Sequence, residues 1–257
     1  MKSVKSIKSI KHIAVSFLLI SIIASCSEDD NYPAPAETFK GSIVDAGTGE
    51  PFQTAIGTTG VRIRMMEYSW SETPAPFDMY TMMDGQFNNN KIFKGEYGIT
   101  PEGAFVPLAE ERVGISGTVE KHYAVEPFLR IEWVGEPVVN DNGTATVQVK
   151  IHRGTASPDY QQELTEVWLY ISENQYVGDF NYSPNYSTKL TGATLPVLGE
   201  TVSITTGWPG GIGTGSQRIF PDYSRKYFLR VGARINKQVN STNVYNYTTV
   251  KEITTTE

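Results

Sequence analysis

The chain has 257 residues and a net charge of −6, with 22 Lys and Arg against 28 Asp and Glu. That balance argues against a nucleic-acid binder, which needs a basic face. A single cysteine leaves no internal disulfide, so stability must come from apolar burial. Abundant Tyr and Thr with frequent Gly and Pro favour strands over helices and predict an all-β protein.

The chain opens on Lys2, Lys5, Lys8 and Lys11 with no acid, followed by an apolar run over 13–23 and the small residues Ala24 and Ser25. That is a secretory signal over residues 1–25. The run is shorter than the roughly 20 apolar residues of a membrane span. Cys26 stands at the cleavage position, which resembles the bacterial lipobox and implies acylation of its thiol and a mature chain anchored to a membrane by lipid. Cleavage removes four of the basic residues and no acid, leaving 18 against 28. That balance also argues against a polybasic grip on anionic lipid, so the acyl chains are expected to hold the protein at about 0.8 kcal/mol per buried methylene. Ser27-Glu28-Asp29-Asp30 resembles the acidic export signal of surface lipoproteins in Bacteroidetes, which implies the outer face of the outer membrane. Residues 26–38 combine these acids with two prolines and read as a flexible tether, reaching about 40 Å at ~3.3 Å per residue.

A first domain is expected over 39–127. It starts with a strand over 39–45, which ends in the turn Ala46-Gly47-Thr48-Gly49-Glu50-Pro51. Val61-Arg62-Ile63-Arg64-Met65 alternates apolar and basic residues as a half-buried strand does. Asp84-Gly85 is a hairpin signal between a strand over 80–83 and Gln86-Phe87. The oxygen-rich stretch Asp84 to Asn90 offers ligand types that suit calcium, although not in an EF-hand pattern; a hairpin turn using Asn and Gly for positive φ is the better account. Strands over 113–119 and 121–125 close the domain.

These residues carry a resemblance. Gly41-Ser42-Ile43-Val44-Asp45, Thr48-Gly49-Glu50-Pro51, Val61-Arg62-Ile63 and Asp84-Gly85-Gln86-Phe87 together resemble the carboxypeptidase-regulatory, transthyretin-like sandwich. With residues 94–105 and Val125-Glu126-Pro127-Phe128-Leu129, the chain resembles a family of two-domain Bacteroidetes lipoproteins whose genes sit beside SusC/SusD-type glycan-import systems. The resemblance implies fold and context, and transfers no functional residues.

The second domain, 128–257, is expected to be an immunoglobulin- or fibronectin-like sandwich of six or so short strands. Their cores are Phe128 to Trp133, Thr144 to Ile151, Glu166 to Ser172, Thr201 to Thr205, Lys226 to Arg234 and Val244 to Thr248. One continuous larger sandwich is the alternative.

Chemistry is sparse. His122 and His152 lie on strands, in no metal-ligand spacing. Gly213-Thr214-Gly215-Ser216 lacks the setting of a nucleophile elbow, and Gly210 to Gly215 lacks a Walker lysine. No catalytic residue, metal site or cofactor is expected. The aromatics offer more, because sugars are held by flat rings beside polar groups. Trp133 and Trp168 alternate within strands and read as core. Trp70, Tyr176, Phe180, Tyr182, Tyr186 and Trp208 fall in loops, where binding residues concentrate on rigid sandwiches. They suit either a ligand platform or rings that plug the sandwich ends or pack between the domains. The expected function is a non-catalytic, cell-surface lipoprotein that binds polysaccharide or oligosaccharide for a SusC/SusD-type complex. The alternative is an assembly lipoprotein that contacts an outer-membrane transporter or a surface fibre, an exposed strand edge serving by β-augmentation.

Overall fold

A computed structural model describes residues 33–255. The expected signal peptide, the acylation expected at Cys26 and residues 26–32 of the expected tether lie outside the described residues. From Pro35 onward the chain forms one compact unit, and its described residues build strands with only three short 3₁₀ turns.

The first seven strands make two facing sheets. They are β1 (Glu37–Asp45), β2 (Arg62–Glu67), β3 (Pro76–Tyr80), β4 (Gln86–Ile92), β5 (Gly95–Glu102), β6 (Glu111–Ile115) and β7 (Thr118–Val125). One sheet has the order β4-β1-β7, with β1 and β7 parallel; the other is the antiparallel β3-β2-β5-β6. Alternation sets which side chains meet. Ile63 and Met65 of β2 are buried, while Arg64 turns outward and grips both carboxylate oxygens of Asp78 on β3 at 3.0 Å. The turn after β1 is closed by Asp45 N–H donating to Glu50 O at 2.9 Å, with Gly49 at φ +75°. At the second turn Gly85 has φ +76°, and the Asp84 carboxylate accepts from the backbone and side chain of Gln86 at 3.2 and 3.0 Å.

The strand expected over 80–83 is displaced. β3 runs from Pro76 to Tyr80 and 81–85 form the turn. Pro76 is tolerated because β3 is an edge strand whose first residue needs no ladder N–H.

The second half contains β8 (Leu129–Trp133), β9 (Val138–Asn140), β10 (Thr144–Arg153), β11 (Leu164–Ser172), β12 (Thr188–Leu190), β13 (Thr201–Thr205), β14 (Lys226–Ile235), β15 (Gln238–Val239), β16 (Thr242–Asn243), β17 (Asn246–Tyr247) and β18 (Lys251–Thr254). The sheet β13-β10-β8, with β9 beside β10, faces the sheet β12-β11-β14, whose far edge is formed by β17 and β18 in turn. The strand expected over 244–248 is thus only Asn246–Tyr247, and β18 was not anticipated. Thr248 interrupts the edge because its hydroxyl accepts from Val231 N–H at 3.0 Å in place of its carbonyl, which takes Arg230 Nε at 2.9 Å.

Among the described residues every strand ladder stays on one side of Pro127, yet the apolar core is continuous from Phe39 to Ile253. Polar bridges also cross the junction. Arg130 on β8 forks onto Asp45 at the end of β1, with both bonds at 2.6 Å. Asn246 accepts from Leu129 N–H at 3.0 Å and donates to Ala104 O at 2.9 Å. Arg230 on β14, fully buried, donates to Thr54 O at 2.9 Å and to Met83 O at 3.3 Å in the first sandwich.

Candidate aromatic binding site

β11 and β14 use both of their faces. Val167, Leu169 and Ile171 of β11, with Leu229, Val231 and Ala233 of β14, fill the space between the sheets. The opposite face carries Glu166, Trp168 and Tyr170 beside Arg230, Gly232 and Arg234. A second apolar cluster forms there, from Ala55 of the first sandwich with Tyr170, Val177, Tyr245 and Tyr247, and Trp168, Phe180 and Tyr182 pack against it. Trp168 is therefore not in the sandwich core where its alternation suggested; it lies on the outward face, half-buried. Gly232 makes this face possible. A Cβ there would lie 2.8 Å from the Tyr247 ring and 2.9 Å from the Tyr170 ring.

The exposed rim of this cluster is a shallow pocket of about 260 Å³. Trp168 and Tyr170 stack with centroids 5.3 Å apart and planes 6° from parallel. Tyr182 meets both rings at steep angles, 5.6 Å from Trp168 and 5.3 Å from Tyr170. Tyr245 lines another side, and Thr59, Asp179, Thr242 and Asn243 supply polar groups. Flat ring faces beside amide, hydroxyl and carboxylate groups suit a polyhydroxylated ligand.

The electrostatics hold the rings in place. Glu166 accepts from Arg234 at 2.7 Å, Trp168 Nε1 at 3.0 Å and Tyr245 OH at 2.7 Å. Burial opposes its ionisation, but these three hydrogen bonds outweigh it and bring its pKa down to about 2. Burial first, and then Glu166, raise the Tyr245 hydroxyl above its ordinary range, so it stays a donor. Tyr247 is raised likewise by burial and by Asp179, to which it donates at 2.8 Å. Lys189 Nζ sits 5.0 Å from the Trp168 ring centroid and 3.4 Å from Glu166.

The loop aromatics singled out from sequence are dispersed. Tyr182 lines the pocket and Phe180 packs beneath it. Tyr176, 41% exposed, lines a different depression with Met83, Phe228 and Val250. Tyr186 packs against the main core, 5.0 Å from Phe220 and 5.6 Å from Tyr227. Trp208 is half-buried, and its carbonyl accepts from Lys189 N–H at 3.2 Å. Trp70, 70% exposed, lies in the β2–β3 loop and donates to Glu67 at 3.0 Å. Trp168, Tyr170 and Tyr245 were not anticipated as site residues. A signal existed for two of them: on β11 the phase opposite Val167, Leu169 and Ile171 is aromatic.

Among the described residues no group of three or more His, Cys, Asp or Glu side chains could hold a metal ion. His122 Nδ1 lies 2.8 Å from Ser42 Oγ on the first sandwich, and His152 lies 3.3 Å from Glu132 on the second.

Residues 37–126 match the N-terminal domain of a protein family of unknown function, DUF3823. The crystal structure of a DUF3823 family protein from Bacteroides uniformis is 30% identical, with a TM-score of 0.74 over 85% of this chain and 99% of that one. A second Bacteroides uniformis structure, provisionally described as a carbohydrate binding protein, is 21% identical with a TM-score of 0.66, covering 85% of this chain and 99% of its own. A DUF3823 family protein from Parabacteroides merdae is 18% identical with a TM-score of 0.60, covering 86% and 100%. No curated protein matches the sequence.

Proposed function

This chain belongs to the DUF3823 family, and on that premise we propose that it binds carbohydrate without cleaving it, through the pocket of Trp168, Tyr170, Tyr182 and Tyr245. The observation that carries the reading is the half-buried Trp168 ring, stacked on the buried Tyr170 beneath it, at a solvent-open rim bordered by Asp179 and Asn243. The provisional carbohydrate-binding description of one structural relative supports it. A shallow pocket makes for weak single contacts, and repeated sugar units along a polymer compensate by multivalency.

The leader, Cys26 and the acids behind it extend the proposal to place. The protein is lipid-anchored at the outer face of the outer membrane and presents captured glycan to a SusC/SusD-type importer. Incorporation of labelled palmitate, lost in Cys26→Ser, tests the anchor. Co-purification with the importer tests the partnership.

Binding is tested by affinity gels containing plant and microbial polysaccharides. At least one polysaccharide should retard the protein, and Tyr182→Ala should remove most of the retardation while leaving the circular dichroism spectrum unchanged. Retardation that Tyr182→Ala leaves undiminished, or none across the panel, would sink the reading.

A further inference from the structure

Between the two sandwiches lies a cleft of about 480 Å³. It falls within the ~300–1,000 Å³ range of small-molecule sites and at a domain junction, where such sites concentrate. One wall is β8 from Leu129 to Trp133, a second is the segment Asn246 to Thr249, and the third is the turn of the first sandwich from Thr48 to Gln53. We propose that this cleft is a second saccharide site, taking an uncharged, hydroxyl-rich segment of a glycan. Trp133 is its stacking ring, and the Asp45–Arg130 pair with Glu50 supplies its hydrogen-bonding groups. The proposal rests on the carbohydrate reading above.

The polar groups are already fixed. Asp45 accepts two bonds from Arg130 at 2.6 Å and one from Gly47 N–H at 2.7 Å. A Cβ on Gly47 would lie 2.4 Å from Arg130 Nη2, so the turn packs directly on the guanidinium. The fork spends two of Arg130's five donor hydrogens on Asp45, and the others remain available for hydroxyl oxygens. Glu50 stands exposed on the same turn, its N–H held by Thr48 Oγ1 at 3.2 Å. Trp133 is likewise held: Nε1 donates to Thr249 O at 3.1 Å, and Lys251 Nζ lies 5.5 Å from its ring centroid. Pre-organised partners of this kind lower the ordering cost of binding.

The backbone contributes too. Val134 N–H donates to Gln148 O, and Gly154 N–H donates to Phe128 O. In an antiparallel ladder these bonds assign the even-numbered residues of β8 to β10 and turn Ile131 N–H and C=O toward the opposite side, where the cleft lies. Charge selects the ligand class. Arg130 is committed to Asp45, so an acidic sugar would face the carboxylates of Glu50 and Glu132; a neutral one meets no such repulsion.

The tryptophans separate the two sites. Trp133 and Trp168 each have a hydrogen-bonded indole N–H, visible by NMR and assignable through Trp→Phe variants. The purified protein is titrated with cellohexaose, mannohexaose and xylohexaose. The Trp133 indole should shift with at least one of them, and Glu50→Ala should weaken that titration about tenfold, the effect of losing one hydrogen bond to a charged group, without altering Trp168. A Trp168 shift with Trp133 unmoved overturns the cleft and leaves the proposed function standing. A Trp133 shift with Trp168 unmoved supports the cleft and removes the aromatic pocket. A Trp133 titration insensitive to Glu50→Ala, or silence from both indoles, overturns the cleft.

Discussion

Arg230 brings a guanidinium into a fully buried position where each of its hydrogen bonds goes to a neutral oxygen: Thr248 O, Thr54 O, Val177 O, Met83 O and Gln53 Oε1. Burial lowers its pKa to about 10, which still leaves it charged at neutral pH. The Tyr247 ring lies 4.4 Å from the charge and adds a cation–π contact. Truncation would strand several buried carbonyls, each costing about 1–3 kcal/mol when unpaired. Arg230→Ala should therefore lose 3 kcal/mol or more (~3–5) in urea unfolding, and a loss under about 1 kcal/mol would show that water fills the gap. Glu166 makes a pH prediction. Its folded pKa, about 2, lies below its ordinary 4.5. Its contribution is therefore complete above pH 4.5 and fades as pH falls toward 2. With a discount for its remaining solvent contact, Glu166→Gln should flatten the acid limb of the stability curve by about 1–2 kcal/mol over that interval.

Strand β14 shows how one element can serve two surfaces. Its inward phase, Tyr227, Leu229, Val231, Ala233 and Ile235, builds the sandwich, and its outward phase supports the aromatic cluster through Gly232. Gly232→Ala would force a methyl group against the mutually tilted Tyr247 and Tyr170 rings, both held in the packed cluster, so a loss of about 1–3 kcal/mol is expected from overpacking. The near-ultraviolet tyrosine signal should change with it; an unchanged signal and stability would mean the rings yield freely. Elements with clean alternation were legible from sequence: β10, β11, β13 and β14 each begin within two residues of their expected starts. β3 was misplaced because Thr73-Pro74-Ala75-Pro76 reads as a loop, while edge position lets Pro76 open a strand. The pocket was legible only at Tyr182 and Phe180. Thr59 and Asn243, on its rim, are 184 positions apart in sequence, and no local pattern brings them together. Tyr186 groups with Tyr182 as a loop aromatic in the sequence, but Phe220 and Tyr227 draw its ring into the core.

The molecule as a whole is two sandwiches whose ladders are separate and whose core is continuous. Ladders alone would let each half unfold by itself. Against that, Phe52 packs edge-on to Phe105 at 5.4 Å on the first side of the junction, Phe128 stacks on Tyr160 at 5.0 Å on the second, and Phe128 N–H donates to Ala104 O at 3.0 Å between them. The Asp45–Arg130 fork, Asn246 and Arg230 add buried polar links, which hold register more strictly than apolar contacts because a displaced partner leaves a desolvated charge or amide behind. Thermal unfolding should therefore be one transition with matching calorimetric and van't Hoff enthalpies. Removing two links at once, Arg130→Ala with Arg230→Ala, should lower the midpoint and resolve two transitions, because the halves then keep only apolar contact and hydrogen bonds such as those at Ala104 O. Two transitions in the unaltered protein would mean that the junction is a loose contact, and the cleft it forms could not then be pre-organised. A single transition in the double variant would mean that the shared apolar core and the bonds at Ala104 O suffice to couple the halves.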